Sequence, residues 1–400
     1  MRAFRTLLDQ AKPHFNKGGK LEKLHHAFDA IETFLFVPGQ TCAGGTHIKD
    51  GVDLKRTMFT VVLAMLPCLL FGIWNVGHQH YVASGEFTAF DAGFLQKIWF
   101  GISIVVPMLI VTYAVGLGVE FLFAIFRGHP VTEGFLVTGM LIPLIMPPTV
   151  PLWMVALSTV FAVILGKEVF GGTGMNLLNV ALVARVFLFF AYPAYMAGDN
   201  IWVVGDVWSP MDGYSGATPL VDGLSGATPL AVAYRNGMEG LSAGGYALAD
   251  LVWGTIPGSI GETSVIAVAI GALILIATGV GSWRIIASVV AGAAGMGFLF
   301  QASGIQPFFA VPPHYHLAMG SVLFAAVYMA TDPVTATQTE KGKVVYGLLI
   351  GIMGMLIRVT NPAYPEGWML AILLMNVFAP LIDHFFVTAN MRRRARRALE

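Results

Sequence analysis

The chain has 400 residues, 56% of them hydrophobic and 12% charged, with a mean hydropathy of +0.72. A soluble domain carries about 25% charged residues, so this chain cannot clothe a water-facing surface and reads as an integral membrane protein. Acidic and basic residues balance at 23 each, which leaves no field to attract nucleic acid, and two distant cysteines, Cys42 and Cys68, form neither a disulfide framework nor a CxxC metal site.

Residues 1–56 are polar and basic, and no apolar stretch within them resembles a cleavable signal peptide. Leu21, Leu24, Phe28, Ile31 and Phe34 recur at helical spacing, which predicts a short amphipathic helix between Lys20 and Phe36. It would lie on the membrane, against a partner protein, or simply in solvent.

Ten apolar segments follow, at about 57–77, 98–126, 134–147, 150–166, 176–195, 264–282, 284–302, 314–331, 344–359 and 368–388. Several approach the ~20 residues that cross a hydrocarbon layer. The fold class is therefore an all-α membrane protein with about ten transmembrane helices spanning 57–388. A basic tail covers 389–400, with Met391-Arg-Arg-Arg-Ala-Arg-Arg397 at its start. Basic residues mark cytoplasmic flanks, so both termini are expected inside, which an even number of spans satisfies. The same count places Arg127, Lys167, Arg284, Lys341 and Lys343 inside. It places 196–263, whose only Lys or Arg is Arg235, outside. Gly134 to Phe190 and Gly320 to Leu381 share an order of span, Pro-containing break, span, Gly/Pro-rich break and span. Five spans per half would make the halves inverted repeats, a plan common where small solutes cross near the midplane.

Several breaks could line a site. Gly166-Lys-Glu-Val-Phe-Gly-Gly-Thr-Gly174 lets a helix stop and restart, although it lacks phosphate-loop spacing and reads first as a turn between spans. Ala330-Thr-Asp332-Pro-Val-Thr335 and Thr360-Asn-Pro-Ala-Tyr-Pro-Glu366-Gly are Pro-rich turns at span ends. Ionisable groups within spans carry more weight, because each is costly there unless paired or functional. These are Glu120, Arg185, Arg358 and Asp383, with backbone carbonyls as alternative partners for the two arginines. His314 and His316 do not share a helix face, so no metal site is expected there.

The longest segment that a bilayer would reject holds Asp212-Gly-Tyr-Ser-Gly-Ala-Thr218-Pro-Leu and, ten residues on, Asp222-Gly-Leu-Ser225-Gly226-Ala-Thr228-Pro-Leu. By chemistry alone each is a Gly-rich turn presenting a hydroxyl among small neighbours. Asp-x-x-Ser-Gly-Ala-Thr resembles the sequence at which a flavin transferase joins FMN to threonine through a phosphoester. Together with Phe15-Asn-Lys-Gly-Gly-Lys-Leu-Glu-Lys, Asp53-Leu-Lys-Arg56, the 166–174 break, Phe187-Leu-Phe-Phe-Ala-Tyr-Pro193, Ile256-Pro-Gly-Ser-Ile-Gly-Glu-Thr263, Arg358-Val-Thr-Asn-Pro-Ala-Tyr-Pro-Glu-Gly367 and Leu381-Ile-Asp-His384, it makes nearly the whole chain similar to the B-type subunits of the sodium-translocating NADH:quinone oxidoreductases of bacterial inner membranes. The sister family, the D-type subunits of Rnf-type electron-transport complexes, lacks the long polar N-terminal region, and non-redox transporters form the competing class.

The resemblance implies one member of a six-subunit complex, matured by a flavin transferase. It implies a covalent FMN, a non-covalent riboflavin, and ubiquinone as the electron acceptor. Electrons would arrive from a partner's FMN, and their passage would be coupled to Na+ export. The family has one attachment motif and this chain has two. Thr228 is followed by Pro-Leu-Ala-Val-Ala-Tyr, like the family's downstream helix, whereas Thr218 has the closer flank. Both remain acceptors in this reading, with Thr228 preferred and Asp222, Ser225 and Gly226 beside it. Val115-Gly-Leu-Gly-Val-Glu120 departs from the family's adjacent glycines but carries over Gly116 and Glu120 to quinone binding. Glu120, Asp332 and Asp383 are the acidic residues expected along the ion path.

Overall fold

The structure is a computed structural model that describes residues 2–15, 25, 28, 32, 44, 54–127, 134–198, 202–205, 227–361 and 366–399. Its elements are all helical: α1 (Arg2–Phe15), α2 (Leu54–Ser84), α3 (Phe94–Arg127), α4 (Phe135–Leu144), α5 (Leu152–Gly166), α6 (Val180–Ala191), α7 (Pro193–Met196), α8 (Pro229–Ala243), α9 (Leu248–Trp253), α10 (Val265–Ala277), α11 (Trp283–Ser303), α12 (Pro313–Ala318), α13 (Val322–Phe324, continued by a π-turn at Ala325–Met329), α14 (Glu340–Thr360) and α15 (Trp368–Leu399). The predicted amphipathic helix between Lys20 and Phe36 falls almost wholly outside the described residues.

All ten predicted apolar segments fall on helix, but they are not ten equal rods. Among the described residues, six helices are long and apolar enough to cross a membrane: α2, α3, α5 with its short 3-10 extension, α11, α14 and α15. Their mixture of length and composition makes this a multi-pass membrane protein. Helices α4, α6 and α10 have 10, 12 and 13 residues. At 1.5 Å per residue they span about 15–20 Å, short of the ~30 Å hydrocarbon core. The eighth segment is broken between α12 and α13 at Met319-Gly320-Ser321, where Gly320 takes φ +68°.

Local chemistry sets these boundaries. Asn179, Thr228, Ser264 and Thr339 each accept a bond from a backbone N–H three residues on, and so cap α6, α8, α10 and α14. Proline occupies the first helical position of α8 and α12, where its missing N–H costs nothing. Helices α11 and α14 meet along a seam of small residues. A Cβ on Gly351 would strike the backbone of Val289 and Ala293, and one on Gly347 the Ser288 hydroxyl. Such close approach replaces the hydrophobic drive that is missing between helices in lipid.

Where helices stop inside the structure, other segments take up the freed backbone groups, as a water-poor setting requires. Past the end of α4, the Leu144 and Met146 carbonyls accept from the Gly261 and Ile260 N–H groups at 2.7 and 3.2 Å. Past α12, the His316 and Met319 carbonyls accept from Arg358 Nη1 at 2.6 and 3.1 Å. Asn75 of α2 ties down the connection before α10 by donating to the Ile256 carbonyl at 2.9 Å.

Candidate functional site

Two polar regions stand out. The first surrounds Thr228, the buried N-cap of α8. Its hydroxyl donates to the Gly198 carbonyl at 3.1 Å and accepts from the Ala231 N–H at 3.3 Å. The Thr228 N–H also donates to Gly198 O, at 2.9 Å. A Cβ on Gly198 would lie 2.7 Å from the Thr228 hydroxyl, so glycine there leaves the oxygen its room. Of the other sequence-predicted residues, Thr218, Asp222, Ser225 and Gly226 lie outside the described residues.

Beside Thr228 is a cavity of about 20 Å³ lined by Leu230, Ile256–Ser259, Glu262, Thr263, Gly320 and Glu366, among others. Arg185 of α6 bonds two of the acids that line it. Its Nη1 donates to both Glu262 carboxylate oxygens at 3.0 and 2.9 Å, and its Nη2 bonds Glu366 Oε2. Burial pushes the Glu262 carboxyl above its ordinary value in spite of Arg185, and the neighbouring Glu366 carboxylate acts in the same direction. Sequence reading singled out Arg185 but did not pair it. A buried arginine in an apolar span demands an acid, and both acids lie far away in sequence, Glu262 in a motif noted only for its resemblance and Glu366 in one of the Pro-rich breaks.

Thr228 suits a phosphoester. Its oxygen sits at the N-terminus of α8, which kinks at Gly237, and the first-turn N–H groups and dipole there favour an anion. Its neighbours Gly198 and Ala227 are small, but the oxygen is buried and bonded to Gly198 and Ala231, so a phosphoester would replace the bond it donates to the Gly198 carbonyl. The cavity has room for about one water, so it holds neither the phosphate nor a flavin ring, and the fit rests on the position of the Thr228 oxygen alone.

The second region lies at the start of α2. A cavity of about 80 Å³ is lined by Thr57, Met58 and Val61 together with Lys167, Asn179, Tyr328 and Asp332, among others. Lys167 Nζ pairs with Glu120 Oε1, both nearly inaccessible. Arg127 donates to the Glu168 carbonyl at 2.7 Å. The chain turns here through Gly171 and Gly172, with φ of +118° and +97°, where a side chain would be strained. Asn179 Nδ2 donates to Asp332 Oδ2 at 3.3 Å. Gly116 sits where any Cβ would collide with the Phe135 ring, so close packing of α3 on α4 accounts for that glycine. Asp383 lies elsewhere. It accepts from the Gln338 and Thr339 N–H groups and from the Thr339 hydroxyl at 2.7, 2.9 and 2.6 Å, fastening α15 to the start of α14. Met58 and Asn75 mark the two regions along α2, and 17 residues of helix separate them by about 26 Å.

These features define a multi-pass membrane protein with broken helices and two buried polar sites. The sequence profile described as the NQR2, RnfD, RnfE family matches residues 41–392. The B-type subunit of the Na(+)-translocating NADH-quinone reductase of Chromohalobacter salexigens is 45% identical over 98% of this chain and 96% of its own. The proteins of the same name from Stutzerimonas stutzeri and Pseudomonas paraeruginosa are 44% and 45% identical over 98% of this chain and 99% of theirs. The chain belongs to the NQR2, RnfD, RnfE family.

Proposed function

We propose that this chain is the B-type membrane subunit of a sodium-translocating NADH:ubiquinone reductase and carries FMN as a phosphoester on Thr228. The observation that carries this reading is the position of Thr228: a buried hydroxyl at a helix N-terminus, flanked by glycine and alanine, in a chain about 45% identical to proteins of that name from end to end. A bound flavin would supply one- and two-electron redox chemistry. The chain's part is to hold the phosphate at the start of α8, to fix that end through Gly198 and Ala231, and to keep water from the Arg185 cluster.

Ubiquinone is placed in this reading near Gly116 and Glu120, with Lys167 between Glu120 and the larger cavity. The two regions are about 26 Å apart along α2. Electron tunnelling falls off exponentially with distance, so a second carrier between them is needed, and a non-covalent riboflavin fills that part. Glu120 and Asp332, with Asp383 nearer the end of α15, are the acidic residues proposed along the ion path. The remaining parts are Na+ as the exported ion, partner proteins that deliver electrons, a flavin transferase for maturation, two inverted halves making ten crossings, and both termini in the cytoplasm. The near full-length match, polar N-terminal region included, favours this assignment over the Rnf-type counterpart.

In-gel ultraviolet fluorescence of the denatured chain, made in a host that has the flavin transferase, tests the central point. Wild type and Thr218→Ala retain fluorescence, and Thr228→Ala loses it. Fluorescence that survives Thr228→Ala and disappears with Thr218→Ala would move the flavin to the first motif.

A further inference from the structure

The last turns of α15 carry a charge that nothing in the described structure answers. Arg392, Arg393, Arg394, Arg396 and Arg397 are all exposed, and no Asp or Glu occurs from His384 to Leu399. Among the described residues none of the five forms an ion pair or a hydrogen bond. Arg392 and Arg396, and Arg393 and Arg397, stand four residues apart, where like charges on a helix repel. An anion lying among them relieves that repulsion.

Their place on the helix indicates which anion. Leu374, Phe378, Leu381 and Phe385 are exposed and follow one another at i, i+4, i+7 and i+11, which is one helix face. On a helix long and apolar enough to cross a membrane, an open apolar face of this kind meets the acyl chains. Steps of seven and eleven from Phe385 arrive at Arg392 and Arg396. The same face therefore turns from apolar to arginine about 10 Å beyond Phe385. Each polar layer of a bilayer is about 5–8 Å thick, and an arginine stem can bend its head back toward that layer. A second observation marks the same boundary. Asp383 fastens α15 to Thr339 at the start of α14, and the adjoining Glu340 pairs with Arg284. The exposed Trp283 ring lies 5.3 Å from the Arg284 guanidinium, an aromatic anchor of the sort found at a membrane–water interface.

We propose that the arginine end of α15 binds anionic phospholipids of the adjoining leaflet. Arg392 and Arg396, on the face that continues the apolar stripe, hold the headgroup phosphates. Arg393, Arg394 and Arg397 strengthen the positive field around them. Every basic residue in this stretch is arginine, and a guanidinium offers a phosphate two parallel N–H donors where an ammonium offers a point charge. A headgroup with net negative charge, such as phosphatidylglycerol, answers the excess of five positive charges; a zwitterionic one does not. The contact stands apart from Thr228 and from both cavities, and does not depend on the flavin.

The test is phenylglyoxal labelling of arginines in the purified complex, held in lipid nanodiscs and read residue by residue by mass spectrometry. One set of discs is phosphatidylcholine alone, and the other is an equal mixture with phosphatidylglycerol. Arg284, at the same end of the bundle, is the internal reference for changes in surface pH. In phosphatidylcholine the five arginines label readily. Phosphatidylglycerol slows Arg392 and Arg396 about fivefold or more relative to Arg284, the factor that corresponds to one basic residue at an anionic surface. High salt removes most of the difference. In Arg392→Gln/Arg396→Gln, exposed changes that leave the packed core alone, Arg393 and Arg397 lose most of their protection. Equal, fast labelling in both lipids means a solvated helix end and overturns the proposal. Equal, slow labelling in both means that a partner protein covers these arginines, and overturns it as well. Protection of Arg393 and Arg397 that is unchanged in the double variant removes Arg392 and Arg396 from the contact.

Discussion

Replacing Arg185 with methionine is the sharpest test of how the membrane core is held. The substitution keeps most of the aliphatic stem and removes three charge-assisted contacts, two to Glu262 and one to Glu366. It leaves two buried carboxylates facing each other. Breaking a buried pair by removing one partner costs about 3–5 kcal/mol, mostly through the charge left behind, whereas an exposed pair would cost under about 1 kcal/mol. Denaturant unfolding in detergent micelles, followed by tryptophan fluorescence, measures the loss. Adding Glu262→Gln to Arg185→Met removes the stranded charge and recovers part of the stability, so the two substitutions are strongly non-additive. Lower pH also shrinks the deficit. A carboxyl held above its unfolded value binds its proton more tightly when folded, so stability is present at low pH and lost as pH rises. A single-variant loss below about 1 kcal/mol, or a double variant no better than the single, would refute the buried-cluster reading.

Other substitutions probe separate parts of the structure. Lys167→Met removes the buried ammonium paired with Glu120 and lowers stability by the same unfolding measurement, with Lys167→Met/Glu120→Gln milder. Asp383→Asn weakens the acceptor shared by Gln338 and Thr339 and lowers stability by about 1–3 kcal/mol. Gly351→Val drives a branched side chain into the Val289 carbonyl across the α11–α14 seam; it costs about 1–3 kcal/mol, and an unchanged melting temperature would contradict that packing. Thr228→Ser keeps both the N-cap and an acceptor hydroxyl, while Thr228→Ala loses about 1 kcal/mol of capping, readable as lower thermal stability of protein made without the flavin transferase.

The membrane class and the ten apolar segments were legible because hydrophobic runs report directly on lipid contact. Their lengths as helices were less so. The 134–147 segment reads as one span, yet α4 ends at Leu144 because Pro143, Pro147 and Pro148 stop the helix and the 260–261 backbone receives its freed carbonyls. That partner lies more than a hundred residues away, beyond the reach of any local pattern. Thr228 is preferred from sequence because the run after it resembles the family's downstream helix, and α8 does begin at Pro229. The pairing of Arg185 with Glu262 and Glu366 could not be read, because composition shows that a buried arginine needs acids but not which ones. Gly116 illustrates the opposite case: a residue taken for ligand contact also has a plain packing role against Phe135.

The two bonds between Gly198 and Thr228 close the base of a loop of 29 residues, positions 199–227. A single copy of the threonine motif would leave 19, and the loop-closure entropy of that difference is only about 0.4 kcal/mol. The clamp thus uncouples the helices from whatever length lies between its jaws. Because the repeat is an unbroken block of ten residues, a deletion of that size restores a single motif in frame and returns Ser-Gly-Ala-Thr-Pro to the head of α8. A lineage can gain or shed the spare copy without renegotiating its membrane architecture.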